Sequence, residues 1–159
     1  MASLVSQWLR RKKRRSVIPT RDRVDVLREQ FPDAIPEHCQ IISQVEEFTM
    51  TSPERIMALC EAVDYVAKHD VPGDIVECGV WRGGSMAAFA RTLLAHGCED
   101  RRLWMYDTYE GMSAPTDKDV DFLGRSAETL LAEESADEIN DRQSIWCNSP
   151  LEGVQKTMS

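Results

Sequence analysis

The stretch Ile75-Val76-Glu77-Cys78-Gly79-Val80-Trp81-Arg82-Gly83-Gly84-Ser85 decides the fold. A short apolar run follows the break at Pro72-Gly73, which predicts a buried strand. Gly79, Gly83 and Gly84 then predict a tight turn. From Ser85 onward Met86, Phe89, Ala90, Leu93 and Leu94 recur at helical spacing, and Gly97 is placed to cap the helix end. A strand, a glycine turn and a helix N-terminus make a pocket at the carboxyl end of a parallel sheet.

Outward from this unit, Arg102-Leu103-Trp104-Met105-Tyr106-Asp107 reads as a second strand, Ser126 to Glu134 as a helix, and Gln143-Ser144-Ile145-Trp146-Cys147 as a third strand. The order β-α-β-α-β predicts an α/β Rossmann-like sheet with parallel strands. Before it, Thr51 and Glu54 stand at capping-box spacing and Pro53 suits a first helical turn. The stripe Ile56, Leu59, Cys60, Val63, Val66 and Ala67 predicts an amphipathic helix laid on a sheet. Three zones follow: a basic tail over 1–20, a helical segment over 21–70, and the α/β part over 71–159.

Composition narrows the function classes. The chain has 159 residues, 42% of them hydrophobic and 29% charged, with a net charge of -8. That balance argues against nucleic acid as a partner, since phosphate contacts need clustered Lys and Arg. No apolar run is long enough for a membrane span. Cys39, Cys60, Cys78, Cys98 and Cys147 are scattered and odd in number. They read as reduced residues of a cytoplasmic protein rather than a disulfide framework or zinc knuckle. His38, His69 and His96 form no His-x-x-x-His pair. The run Arg10 to Arg15 follows too short an apolar stretch for a signal peptide. It reads as a solvated tail, with weak contact to an anionic surface as the alternative.

The turn is not a dinucleotide fingerprint, because Trp81 stands where the second glycine of Gly-x-Gly-x-x-Gly belongs and would obstruct a pyrophosphate. Glu77 just before the turn suits a cationic, amine-bearing ligand. S-adenosylmethionine has an ammonium, a sulfonium and no phosphate, and Asp107 ends the second strand where an acid can take ribose hydroxyls. A strand-to-helix turn without a ligand remains open on spacing alone. So do a different Rossmann-type nucleotide binder, such as an NAD enzyme, and a non-catalytic interaction module.

The turn, together with Tyr106-Asp107-Thr108-Tyr109-Glu110-Gly111-Met112 and Phe48-Thr49-Met50-Thr51, closely resembles the macrocin O-methyltransferase (TylF/MycF) family over roughly 47–112. The resemblance implies an S-adenosylmethionine-dependent, magnesium-assisted O-methyltransferase. Its acceptor would be a small-molecule hydroxyl, in the best-known members a sugar hydroxyl of a natural product. Cofactor contacts are implied at Thr49, Met50, Glu77, Cys78, Gly79, Val80, Trp81, Asp107, Thr108, Tyr109, Glu110 and Gly111. By role, Glu77 would take the methionine amino end and Asp107 the ribose. The family's magnesium-binding aspartates follow later strands, so no residue here inherits that role, and no general base is assigned. Asp117, Asp119 and Asp121 read as a solvated loop rather than metal ligands. The sheet is expected to be incomplete and the chain a fragment inactive alone. Its first strand would be left as an apolar edge prone to self-association into a homo-oligomer.

Overall fold

The computed structural model describes residues 22–133 and 144–159. The basic run, the tail over 1–20 and Gln143 lie outside them. The elements are α1 (Arg23–Gln30), α2 (Pro36–Val45), a 3-10 turn (Glu46–Phe48), α3 (Pro53–Lys68), β1 (Ile75–Cys78), α4 (Gly84–Ala95), β2 (Leu103–Tyr106), α5 (Ala127–Glu133) and α6 (Leu151–Met158).

β1 and β2 pair in parallel, with Ile75 opposite Leu103 and Cys78 opposite Tyr106. The crossover between them is α4, as a parallel pair requires. Gly97 ends that helix at φ 70°, its amide donating to the Leu94 carbonyl at 2.9 Å.

The core lies among the helices. Leu27 of α1, Ile42 of α2, Ile56 and Cys60 of α3 and Ala88 of α4 are all fully or almost fully buried in one cluster. Each fully buried Leu or Ile contributes about 1.5–3 kcal/mol. The helical segment and the helix of the glycine turn therefore share one core. Arg23 fastens α1 to the 3-10 turn by a bidentate pair with Glu46, its Nε donating to Oε1 and its Nη2 to Oε2, both at 2.7 Å.

Four sequence expectations change. First, α3 packs on α4 and α2 rather than on the strands. A two-stranded sheet is only about 5 Å between strand axes, too narrow to seat α3 beside α4. Second, α3 starts at Pro53 with Ser52 as its cap, and the Thr51 amide instead donates to the Thr49 hydroxyl at 3.2 Å. Third, the strands are not buried throughout. Ile75, Glu77, Leu103 and Met105 are half-covered, and they alternate with exposed Val76, Cys78, Trp104 and Tyr106. Fourth, residues 144–147 form a turn rather than a third strand. The Cys147 amide donates to the Ser144 carbonyl at 3.3 Å, and Cys147 sits at φ 49°, outside strand geometry. No helix among the described residues is long and apolar enough to cross a membrane.

Candidate cofactor site

The chain leaves β1 at Cys78 and turns through Gly79 at φ 84° and Trp81 at φ 50°. A tryptophan in the left-handed region costs on the order of 1 kcal/mol or more and needs support from its surroundings. Asp107, immediately after β2, supplies it. Its Oδ2 accepts the Val80 amide at 2.6 Å and the Trp81 amide at 3.0 Å, while Oδ1 accepts the Tyr109 amide at 3.1 Å. The Arg82 guanidinium lies 4.4 Å over the Trp81 ring and holds the indole from its other side.

The turn is also pressed against the helical layer. A Cβ on Gly84 would stand 2.6 Å from the Phe48 carbonyl carbon and oxygen, so α4 begins where only glycine fits. This contact brings the Thr49-Met50 segment against the turn. The loop after β2 closes similarly: Gly111 sits against the Trp146 carbonyl, and the Met112 amide donates to that oxygen at 2.9 Å.

These contacts enclose a cavity of about 450 Å³ at the carboxyl end of both strands, lined by Met50, Gly79, Trp81, Asp107, Thr108 and Gly111, with Met112 and Cys147 completing it. Six of the sequence-predicted residues thus meet in one space. Thr49 is buried behind it under Gly84. Val80 is buried in the turn, Cys78 is exposed, and Tyr109 turns back so that its hydroxyl donates to the Met105 carbonyl at 3.1 Å. Glu110 is exposed.

Glu77 does not line this cavity. It faces a smaller one of about 130 Å³ with Leu59, Ile75, Ser85, Met86 and Phe89. Burial pushes its carboxyl up to about 7, against the opposing pull of Ser85 and with the help of the Asp107 charge. Its Oε2 is buried with no hydrogen-bond partner. Asp107 moves the other way. Burial works upward on it, but the amides of Trp81, Tyr109, Val80 and Thr108 outweigh burial and hold it below the usual carboxylate range. A carboxylate has about four acceptor directions. Oδ2 takes the Val80 and Trp81 amides and Oδ1 the Tyr109 amide, with the Thr108 hydroxyl at 3.5 Å from Oδ1, so a ligand hydroxyl at Oδ1 would take the place of that long contact.

Cys147 and Met112 were missed by sequence reasoning as cavity residues. Met112 ends the quoted motif, but only the contact with Trp146 brings Cys147 beside it. Asp119 accepts from the Thr116 amide and hydroxyl at 2.7 Å and 2.9 Å, and Asp121 pairs with Arg125 at 2.8 Å, so both close their own loop. Among the described residues no group of three or more His, Cys, Asp or Glu is arranged to hold a metal ion. Asp107, the one carboxylate among the described residues that line the cavity, is taken up by the turn amides, so these residues do not fit the magnesium that the resemblance implies. None of the three histidines lines the cavity: His38 and His96 meet Asp64, and His69 stacks by Tyr65.

A family model described as Macrocin-O-methyltransferase (TylF) matches residues 15–143. The 8-demethyl-8-(2,3-dimethoxy-alpha-L-rhamnosyl)-tetracenomycin-C 4'-O-methyltransferase of Streptomyces olivaceus is 47% identical over 64 residues, covering 40% of this chain and 24% of that protein. The mycinamicin III 3''-O-methyltransferase of Micromonospora griseorubida is 40% identical over 72 residues, covering 45% of this chain and 28% of that protein. The matches thus span about a quarter of the length of these curated relatives. Among solved structures, the O-methyltransferase NovP aligns with a TM-score of 0.49 at 27% identity, over 70% of this chain and 41% of that one.

Proposed function

The chain belongs to the macrocin-O-methyltransferase (TylF) family, and from that premise we propose that it binds S-adenosylmethionine for transfer of a methyl group to a hydroxyl. The acceptor class we propose is a sugar hydroxyl of a natural product. We place the protein in the cytoplasm, in keeping with five scattered cysteines, none of which forms a disulfide among the described residues.

One observation carries the reading: a cavity of about 450 Å³ at the ends of two parallel strands, with Trp81 in its wall and Asp107 clamped to the turn. When bound, the cofactor supplies a methyl group activated on a sulfonium. The protein residues bind and orient it. The Trp81 indole fills the position that a pyrophosphate would need and leaves an apolar wall for the cofactor body. Met50 closes the cavity from the helical side. Asp107 is read as accepting one ribose hydroxyl at Oδ1 in place of the long contact from the Thr108 hydroxyl. Glu77 faces the smaller cavity beside the turn, its carboxyl pushed up to about 7, and is read as gaining its full charge only if the ammonium end of the cofactor reaches past Gly79 into that space.

The test is photo-crosslinking of radiolabelled S-adenosylmethionine followed by peptide mapping. Label on the peptides carrying Met50 or Trp81 is expected. Label confined to peptides without residues 49–50, 77–81 or 107–112 would overturn the assignment.

A further inference from the structure

A second cavity, about 420 Å³, adjoins the first. The two have no lining residue in common, but their linings are neighbours along the chain at three places: Phe48 lies two residues from Met50, Arg82 follows Trp81, and Asn148 follows Cys147. The second cavity runs along the start and one face of α6 and is lined by Phe48, Arg82, Asn148, Ser149, Pro150 and Lys156, among others. None of its lining residues among the described ones is acidic. That is unusual for a chain with 27 acids against 19 Lys and Arg, six of them spent in the run 10–15. The neighbouring acids along the chain, Glu47 and Glu152, are exposed and do not line it.

The charged side chains that line it, Arg82 and Lys156, are of one sign. Arg82 carries a planar fork of donors, its guanidinium 4.4 Å over the Trp81 ring. The Lys156 ammonium makes no ion pair among the described residues. Ser149 is only 5% exposed, and its hydroxyl makes no hydrogen bond among the described residues. The Asn148 amide adds a neutral donor, and Phe48 and Pro150 supply an apolar surface.

We propose that this cavity is a binding site for an oxyanion, a carboxylate or phosphate carried on an apolar body. The oxyanion sits between Arg82 and Lys156 and accepts from Ser149, and the body packs on Phe48 and Pro150. Charge-assisted bonds from a forked guanidinium suit this ligand class. Because the two linings are adjacent along the chain at three places, an occupant lies near the cofactor cavity. Naming that occupant as the methyl acceptor rests on the reading given above, whereas the binding itself does not.

The experiment titrates the chain with phenyl phosphate, benzoate, inorganic phosphate and, as a neutral control, phenol, following Trp fluorescence and calorimetry. S-adenosylhomocysteine is titrated in parallel. Saturable binding of phenyl phosphate or benzoate is expected, tighter than inorganic phosphate and far tighter than phenol. Lys156→Gln, a change at an exposed side chain, should weaken it at least fivefold and leave S-adenosylhomocysteine affinity unchanged. Ser149→Ala and Arg82→Gln should weaken it as well. The stronger of the two aryl anions decides between phosphate and carboxylate. No saturable oxyanion binding, equal affinity in Lys156→Gln, or phenol binding as tightly would overturn the site. Oxyanion binding without S-adenosylhomocysteine binding would overturn the cofactor reading and leave this one standing.

Discussion

The Oδ2 atom of Asp107 accepts the Trp81 amide at 3.0 Å, so the residue that ends β2 holds the turn that follows β1. Twenty-six residues separate them in sequence. The contact converts two adjacent strand ends into one rigid rim, and it keeps Trp81 at a positive φ that its side chain disfavours.

Replacing Asp107 with Ala removes the acceptor of the Val80, Trp81 and Tyr109 amides together. A loss of about 1–3 kcal/mol of stability is expected. S-adenosylhomocysteine binding should weaken at least about tenfold, a change worth roughly 1.4 kcal/mol. Asp107→Asn keeps an acceptor but loses the charge and should fall between. Urea unfolding and calorimetry measure both effects, and an Ala variant equal to wild type in both would contradict the clamp.

How much of this was legible in the sequence depends on the range of each contact. The strand over 75–78, the turn, the helix to Ala95 and its Gly97 cap follow from neighbours within a few residues, where glycine positions and apolar spacing suffice. The apolar run Ile145-Trp146-Cys147 also reads as a strand locally. In the fold its backbone is taken by Gly111 and Met112, more than thirty residues away, and it turns instead. The acid Asp107 was legible as a site residue. That the turn amides occupy most of its acceptor capacity was not, because nothing local signals it.

Glu77 sets a pH dependence. Its folded value is raised to about 7 from 4.5, chiefly by burial. The folded state therefore holds the proton more tightly, and stability falls as pH rises from about 4.5 to 7. After discounting for partial exposure the loss is on the order of 1–2 kcal/mol. Thermal unfolding at pH 5 and pH 8 should show the drop, and Glu77→Gln should flatten it. An unchanged slope in the variant would assign the dependence elsewhere. The lowered values of Asp64 and Asp107 act only below about 3.8, where stability is lost as they protonate.

At Gly84 an added methyl meets backbone atoms of Phe48 that cannot swing aside. Overpacking costs about 1–3 kcal/mol, against a helix-propensity gain of about 1 kcal/mol for Ala over Gly. Gly84→Ala should lower the melting temperature by a few degrees and weaken cofactor binding. Gly153→Ala in α6, where an added methyl meets nothing within 4 Å, should not lower it. Equal melting temperatures for the two variants would show that α4 can shift away from Phe48.

Asp64 joins three helices. Its Oδ1 lies 2.8 Å from His96 Nε2 and 3.4 Å from His38 Nε2, and its Oδ2 is 3.3 Å from Lys68 Nζ. His38 and Asp64 are both buried. Asp64→Asn should cost about 1–3 kcal/mol, whereas Lys68→Gln on the exposed side should cost less than about 1 kcal/mol. Chemical denaturation of both variants gives the comparison, and reversed costs would show that the exposed ammonium dominates.

The cofactor assignment meets its most direct test in calorimetric titration of this chain with S-adenosylhomocysteine and, separately, with NAD. The cavity walled by Trp81 and closed by Asp107 predicts saturable, one-to-one binding of S-adenosylhomocysteine, lost or strongly weakened in Asp107→Ala, and no detectable binding of NAD. Saturable NAD binding with no heat from S-adenosylhomocysteine would contradict it, since a pyrophosphate would then be accommodated where the indole stands.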